Sequence, residues 1–145
     1  MREIVLEFEG YWTEASESFI PDRSGVYCVY RGKHDLLERK VYLRELLYIG
    51  ESDRVRTRIL GHEKRALWKE HLKDDETLCY SFTPVIFDRN RVEAALIHEH
   101  KPKENWDFIH EFPFPDTAVF STGKTALLSG CFAALESADS REWAS

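Results

Sequence analysis

The chain has 145 residues, a formal net charge of −6, 43% hydrophobic and 32% charged residues. That length suits one domain able to bury a core without staples, and that balance excludes a disordered chain. No apolar run reaches the ~20 residues of a membrane span, and Arg2-Glu3-Ile4-Val5-Leu6-Glu7-Phe8 carries no signal-peptide pattern, so a cytoplasmic protein with no membrane partner is expected.

Residues 3–8 alternate apolar and polar and read as a strand. Gly10 through Ser24, polar and holding Pro21, reads as a connection with at most one short helical turn. Gly25-Val26-Tyr27-Cys28-Val29-Tyr30 is a run of β-formers expected to be covered on both faces. Residues 31–40 are charged and read as a loop, and Val41 through Gly50 reads as the next strand. Two helical stretches follow over 54–72, one with Val55, Ile59 and Leu60 inward, the other with Leu67, Trp68 and Leu72, with a bend at Gly61. Leu78 through Phe87 is strand-like. Asp88 is placed to N-cap a helix over 89–100 with Val92, Ala95 and Leu96 on its core stripe, and Lys101-Pro102 ends it. The aromatic, proline-containing stretch 104–116 reads as a loop that packs. Thr117–Phe120 and Thr125–Leu128 form either a hairpin or, from Lys124, a helix, and the polar end Ser137–Ser145 is expected to fray. Cys28, Cys79 and Cys131 are far apart and read as reduced packing residues.

Charge is unevenly distributed. Residues 54–73 hold seven basic and two acidic residues, whereas 1–24 hold two basic and six acidic, and 104–145 two basic and seven acidic. A local basic face suffices for phosphate, because fields decay over about 8–10 Å at physiological salt. The same stretch also reads as a solvated helix face.

Several residues are candidates for chemistry. Glu93 lies at the edge of the apolar face of its helix, with Leu96 and Ile97 at i+3 and i+4. It is either a first-turn acid complementing the helix dipole or a hard oxygen ligand for Mg²⁺ or Mn²⁺, which take only one or two protein carboxylates. Arg58 and His62 share a helix face, near Arg54 and Arg65, and a guanidinium fork suits a phosphate. Tyr27 and Tyr48 are strand tyrosines whose ordinary role is packing. Gly50, directly after Tyr48-Ile49, would allow close approach of a ligand or backbone. A tyrosine beside a positive charge and a metal could have its pKa lowered enough to take a proton from water.

Gly25-Val26-Tyr27 and Tyr48-Ile49-Gly50, followed by Arg58, His62, Glu93-Ala94-Ala95-Leu96-Ile97 and Lys101-Pro102-Lys103-Glu104-Asn105, resemble the GIY-YIG nucleases. The resemblance covers about 24–106. It implies an α/β (α+β) domain with a central three-stranded antiparallel sheet flanked by helices. An extra N-terminal strand and a C-terminal elaboration, 107–145, would complete a single domain over 1–145. It implies a metal-dependent endonuclease acting on DNA, with RNA not excluded. Glu93 would hold one Mg²⁺ or Mn²⁺, Tyr48 would activate water and Arg58 would steady the phosphate. Tyr27, His62 and Asn105 would complete the site. Gly50, Arg54, Arg58, Arg65 and Lys69 are the expected nucleic-acid contacts, and a partner protein supplying specificity is possible.

The long spacer 28–47, with Arg31, Lys33, His34, Arg39, Lys40 and Arg44, is either a hairpin at the mouth of the site or a surface loop. A domain of this fold that binds nucleic acid or protein without cutting is the alternative. Ser121-Thr122-Gly123-Lys124-Thr125 ends like a phosphate-binding loop, but Ala118 stands where the first glycine belongs. The Trp106–Phe114 segment is either a docking surface or a cap on the core.

Overall fold

A computed structural model describes residues 1–138; the end of the Ser137–Ser145 tail expected to fray lies outside the described residues. The order of elements is β1 (Arg2–Thr13), a 3₁₀ turn (Glu14–Phe19), β2 (Gly25–Asp35), β3 (Lys40–Ser52), α1 (Val55–Leu60), α2 (Arg65–Lys69), β4 (Thr77–Pro84), α3 (Arg89–His100), β5 (Thr117–Gly123) and β6 (Cys131–Ala134). The fold is mixed α/β, built on one sheet in the order β3-β2-β4-β1-β5-β6. The expectation of a three-stranded sheet is therefore corrected to six strands. β3, β2 and β4 pair antiparallel. β1 extends the sheet: residues 9–13 pair antiparallel with β4 and residues 2–8 pair parallel with β5.

Alternation along β2 sorts the core into two layers. Val26, Cys28 and Tyr30 join Val92, Ala95 and Leu96 of α3 on one face, while Tyr27 and Val29 join Val55, Ile59 and Trp68 of α1 and α2 on the other. Coverage on both faces is why Gly25–Tyr30 reads as an unbroken β-forming run. α3 has the expected bounds and stripe, but Asp88 does not cap it with its side chain: it adopts a left-handed conformation and pairs with Arg2. Helices α1 and α2 fall on either side of Gly61, as expected, although Leu60 points out.

Other expectations change. Gly10–Thr13 is not connection but the second half of β1, and β4 stops at Pro84 rather than Phe87. Residues 31–40 are not a loop: β2 and β3 continue as a hairpin to the pair Asp35–Lys40. Its tip lies eight residues along β2 from Tyr27, about 25 Å away, so the hairpin does not overhang the site. Arg31 instead binds Glu45 and Glu76 at 2.8 and 2.7 Å, and Arg44 reaches Asp75 at 3.1 Å, tying the hairpin to the segment before β4.

Toward the C-terminus, β5 runs through to Gly123, and β6 rather than Thr125–Leu128 is its hairpin partner; no helix starts at Lys124. Gly123 has φ +82°, and a Cβ there would lie 2.3 Å from the Phe8 carbonyl. Lys124 N–H donates to that same carbonyl at 2.9 Å. The Ser-Thr-Gly-Lys-Thr run is thus a strand end, without the following helix that a phosphate loop needs. The 104–116 stretch caps the α3 layer: Phe112 is fully buried and Phe108, Ile109 and Phe114 pack partly against it. Cys28 and Cys79 are buried free thiols, but Cys131 is exposed, so only two of the three are packing residues. Among the described residues no helix is long and apolar enough to cross a membrane.

Candidate active site

β3 is an edge strand, and the candidate residues gather around the part of it that carries Tyr48-Ile49-Gly50. Tyr27 lies opposite Gly50 in the β2–β3 ladder. A Cβ on Gly50 would stand 2.3 Å from the Tyr27 hydroxyl oxygen and 2.4 Å from Cζ. The glycine is therefore needed so that the Tyr27 ring can lie across the neighbouring strand. The Tyr27 and Tyr48 rings are 6.2 Å apart, Tyr48 meets His62 edge-on at 5.1 Å, and Trp68 packs 5.2 Å from Tyr48 and 4.6 Å from His62. α2 and the turn before it thus supply an aromatic wall.

Burial sets the protonation of this wall. Tyr27 is buried and its pKa lies far above the usual phenol value; desolvation dominates, and Tyr48 and Glu93 add to it while Arg58 opposes. Tyr48 is half-buried and pushed up to about 12, by desolvation first and Glu93 second, with Arg58 lowering it only in part. The expectation that a neighbouring cation would lower this phenol is not met by Arg58 alone. His62, 5% exposed, is pulled down to about 4 by desolvation and by Arg58, so it is neutral near pH 7. Its Nδ1 accepts the Lys64 backbone N–H at 3.0 Å. The proton then resides on Nε2, a buried nitrogen without a hydrogen-bond partner.

Arg58 projects from the last turn of α1 toward Tyr27 and Tyr48, both of which act on its charge. Its fork is engaged by Glu63, with Nη1 and Nη2 donating to the two carboxylate oxygens at 2.8 and 2.9 Å. Glu63 thus occupies the guanidinium as a phosphate would.

Glu93 approaches from α3, and shares with Tyr48 a cleft of about 170 Å³ lined also by Lys64, Ile97, Asn105, Trp106 and Asp107. Desolvation raises its pKa to about 7; the Glu51 charge adds to this, the Glu51 amide lowers it, and Asp107 raises it further. A partly buried carboxylate near two other carboxylates is a poor place for negative charge and a good one for a hard cation. The carboxylates of Glu93, Glu51 and Asp107 fit Mg²⁺ or Mn²⁺ in type, and the Lys64 ammonium that lines the same cleft is no ligand for either. Among the described residues no group of three or more His, Cys, Asp or Glu side chains forms a ready-made metal cluster, so water and substrate oxygens would have to fill the shell.

Asn105 has a different task from the other candidates. Its Oδ1 accepts Ile49 N–H and its Nδ2 donates to Ile49 C=O, both at 2.9 Å, while Glu104 N–H donates to Leu47 C=O at 2.9 Å. The 104–105 segment thus completes the open edge of β3 beside Tyr48. Asn105 lines the cleft, but both ends of its amide bind main chain.

The expected nucleic-acid contacts beyond Gly50 and Arg58 are largely drawn into ion pairs with the acidic N-terminal segment. Arg54 binds Asp22 at 3.1 Å, Arg65 binds Glu17 at 2.9 Å and Lys69 binds Glu14 at 2.9 Å. Glu51 is an acid expected beside the active-site strand, whereas Lys64, Asp107 and Glu63 are not singled out by the sequence. They come from charged runs where nothing in the spacing separates a site residue from a solvated one. No family model matches the chain, and no curated protein or solved structure gives a significant match.

Proposed function

We propose that the protein is a metal-dependent endonuclease that hydrolyses phosphodiester bonds in DNA, and that β2, β3 and β4 serve as a GIY-YIG-like core within the larger sheet. The observation that carries this reading is convergence: Tyr48 from β3 and Glu93 from α3 line one cleft, while Arg58 and Glu93 both act on Tyr27 and on Tyr48. Residues dispersed over two strands and two helices meet at the edge of β3, as a phosphoryl site requires.

In this reading the Arg58 fork neutralises the non-bridging phosphate oxygens after Glu63 gives way. Tyr48, once its phenol has lost its proton to solvent, takes a proton from the water that attacks phosphorus in line; the P–O3′ bond breaks, O3′ leaves with a proton from solvent, and Tyr48 returns its own proton to solvent. Tyr27, held protonated by burial, donates a hydrogen bond, and neutral His62 packs edge-on against the Tyr48 ring and positions it. A divalent cation held by Glu93 would act as Lewis acid toward the phosphate and would offset the negative charge that keeps the Tyr48 phenol protonated.

The test is a cleavage screen over duplex, nicked, branched and single-stranded DNA, and over RNA, with Mg²⁺ or Mn²⁺. Expected are cut strands with the wild type and none with Glu93→Ala. A wild type that cuts none of these would overturn the reading. A second reading, a domain that binds without cutting, is favoured by the Arg58–Glu63 pair; nucleic-acid binding undiminished by Glu93→Ala and without cleavage would establish it.

A further inference from the structure

Trp106 follows the cleft-lining Asn105 and is 71% exposed. Large indole surface is seldom left so open in a monomer unless something covers it. The residue is not a loose tip. Its backbone neighbours are fixed: Asn105 clamps Ile49, Glu104 pairs with Leu47, and Glu104 Oε1 meets His71 Nε2 at 2.8 Å. The Lys64 ammonium sits over the indole, 3.9 Å from its centroid, and 5.1 Å from that of Tyr48. It is anchored there by donating to the Glu104 carbonyl at 2.9 Å. No carboxylate within salt-bridge range takes up the Lys64 charge among the described residues. Lys64 covers one face of the indole, the 71% exposure leaves the other open, and both residues line the cleft of Tyr48 and Glu93.

We propose that Trp106 and Lys64 form a stacking subsite for one unpaired nucleobase next to the scissile phosphate, which makes single-stranded or locally unpaired DNA the preferred substrate class. The inference rests on the nuclease reading for its orientation but not for its binding chemistry. Every base offers a π-face, and a positive charge beside the platform matches the adjoining phosphate. A base inside a duplex has both faces covered by its neighbours, so only an unpaired one can lie on the indole.

The experiment measures binding of an oligothymidylate and of a duplex of equal length to the intact protein in EDTA, where no strand is cut, for the wild type, Trp106→Phe and Trp106→Ala. Trp106 is exposed, so neither change disturbs the core. Oligothymidylate should quench the tryptophan emission of the wild type, and Trp106→Phe should abolish that quench while retaining most of the affinity. Trp106→Ala should weaken single-strand binding about tenfold and leave duplex binding unchanged. Absence of oligothymidylate binding or of quenching would overturn the subsite and leave the indole to a protein partner, and so would an equal loss on both ligands. Cleavage with Mg²⁺ is assayed separately. Quenching without cleavage by any variant would remove the nuclease reading and keep the subsite; Glu93-dependent cleavage indifferent to Trp106 would do the reverse.

Discussion

Glu93 sits in an environment that disfavours its charge. Its carboxyl is raised from 4.5 to about 7 by burial and by Glu51 and Asp107. Between those two pH values the folded chain holds a proton at this position that the unfolded chain has lost, so stability falls as pH rises from about 4.5 to 7 and is level above. The shift corresponds to about 3 kcal/mol. Glu93→Gln keeps the shape and removes the charge. It should melt higher than the wild type at pH 8, by roughly 10 °C, and alongside it at pH 4.5. Thermal unfolding at the two pH values checks this, and equal melting temperatures at pH 8 would mean that the carboxylate is not strained. Adding Mg²⁺ or Mn²⁺ at pH 8 should raise the wild type's melting temperature and not the variant's. Arg58 gives a second prediction at this scale. Glu63 is held ionised down to about 2 by Arg58, so the pair persists at every working pH. Being exposed, it contributes little. Glu63→Gln should therefore tighten oligonucleotide binding several-fold with little change in melting temperature; unchanged affinity would show that Arg58 does not meet phosphate.

At the scale of elements, the edge of β3 is completed by a side chain. Ile49 N–H and C=O bond to Asn105 rather than to another strand. Asn105→Ala would leave both groups without that partner, and each buried orphan costs about 1–3 kcal/mol. The loss expected in urea unfolding is about 2–4 kcal/mol, with activity lost in parallel because the same edge places Tyr48. A variant of wild-type stability would show that water satisfies Ile49. In the sequence, the helices and the central strands were legible because one side of each is apolar: Val92, Ala95 and Leu96 mark α3, and Val26 to Tyr30 mark a strand covered on both faces. The outer half of the β2–β3 hairpin was not legible. It leaves the core, its apolar alternation fades, and its register is carried by ion pairs such as Arg31 with Glu45. Gly10–Thr13 was hidden for a related reason, since a glycine and a register shift interrupt the pattern where β1 changes partner. The role of Asn105 was open to a sequence reading only as a site residue. That its amide mimics a strand depends on where the chain returns after α3.

For the whole molecule, the decisive matter is how a chain of net charge −6 would hold a polyanion. The basic run in the sequence suggests a broad positive face, but the fold lays the acidic N-terminal segment against it. Asp22 takes Arg54 and also accepts Thr57 N–H at 2.9 Å, closing the start of α1; Glu17 takes Arg65, and Glu14 takes Lys69. These pairs are part of how α1, α2 and the 3₁₀ turn are joined, so they should stay closed when nucleic acid binds. Arg58, once released by Glu63, and Lys64 then remain as the cations at the cleft. Each neutralised phosphate of a single strand releases about 0.7 of a counterion, so two contacts give a log–log slope of affinity against salt of about −1.4. Opening the pairs of Arg54 and Arg56 with Asp22, of Arg65 with Glu17 and of Lys69 with Glu14 would raise the number to six and the slope to about −4. Titration of an oligothymidylate in EDTA at several salt concentrations separates the two cases. A steep slope would mean that the N-terminal acids yield to the ligand and that the basic run acts as one surface; a shallow one would mean that the substrate is gripped only at the cleft. The Glu14→Gln, Glu17→Gln double variant should steepen the slope in the shallow case and leave it unchanged in the steep one, because only in the first are Arg65 and Lys69 withheld from phosphate in the wild type.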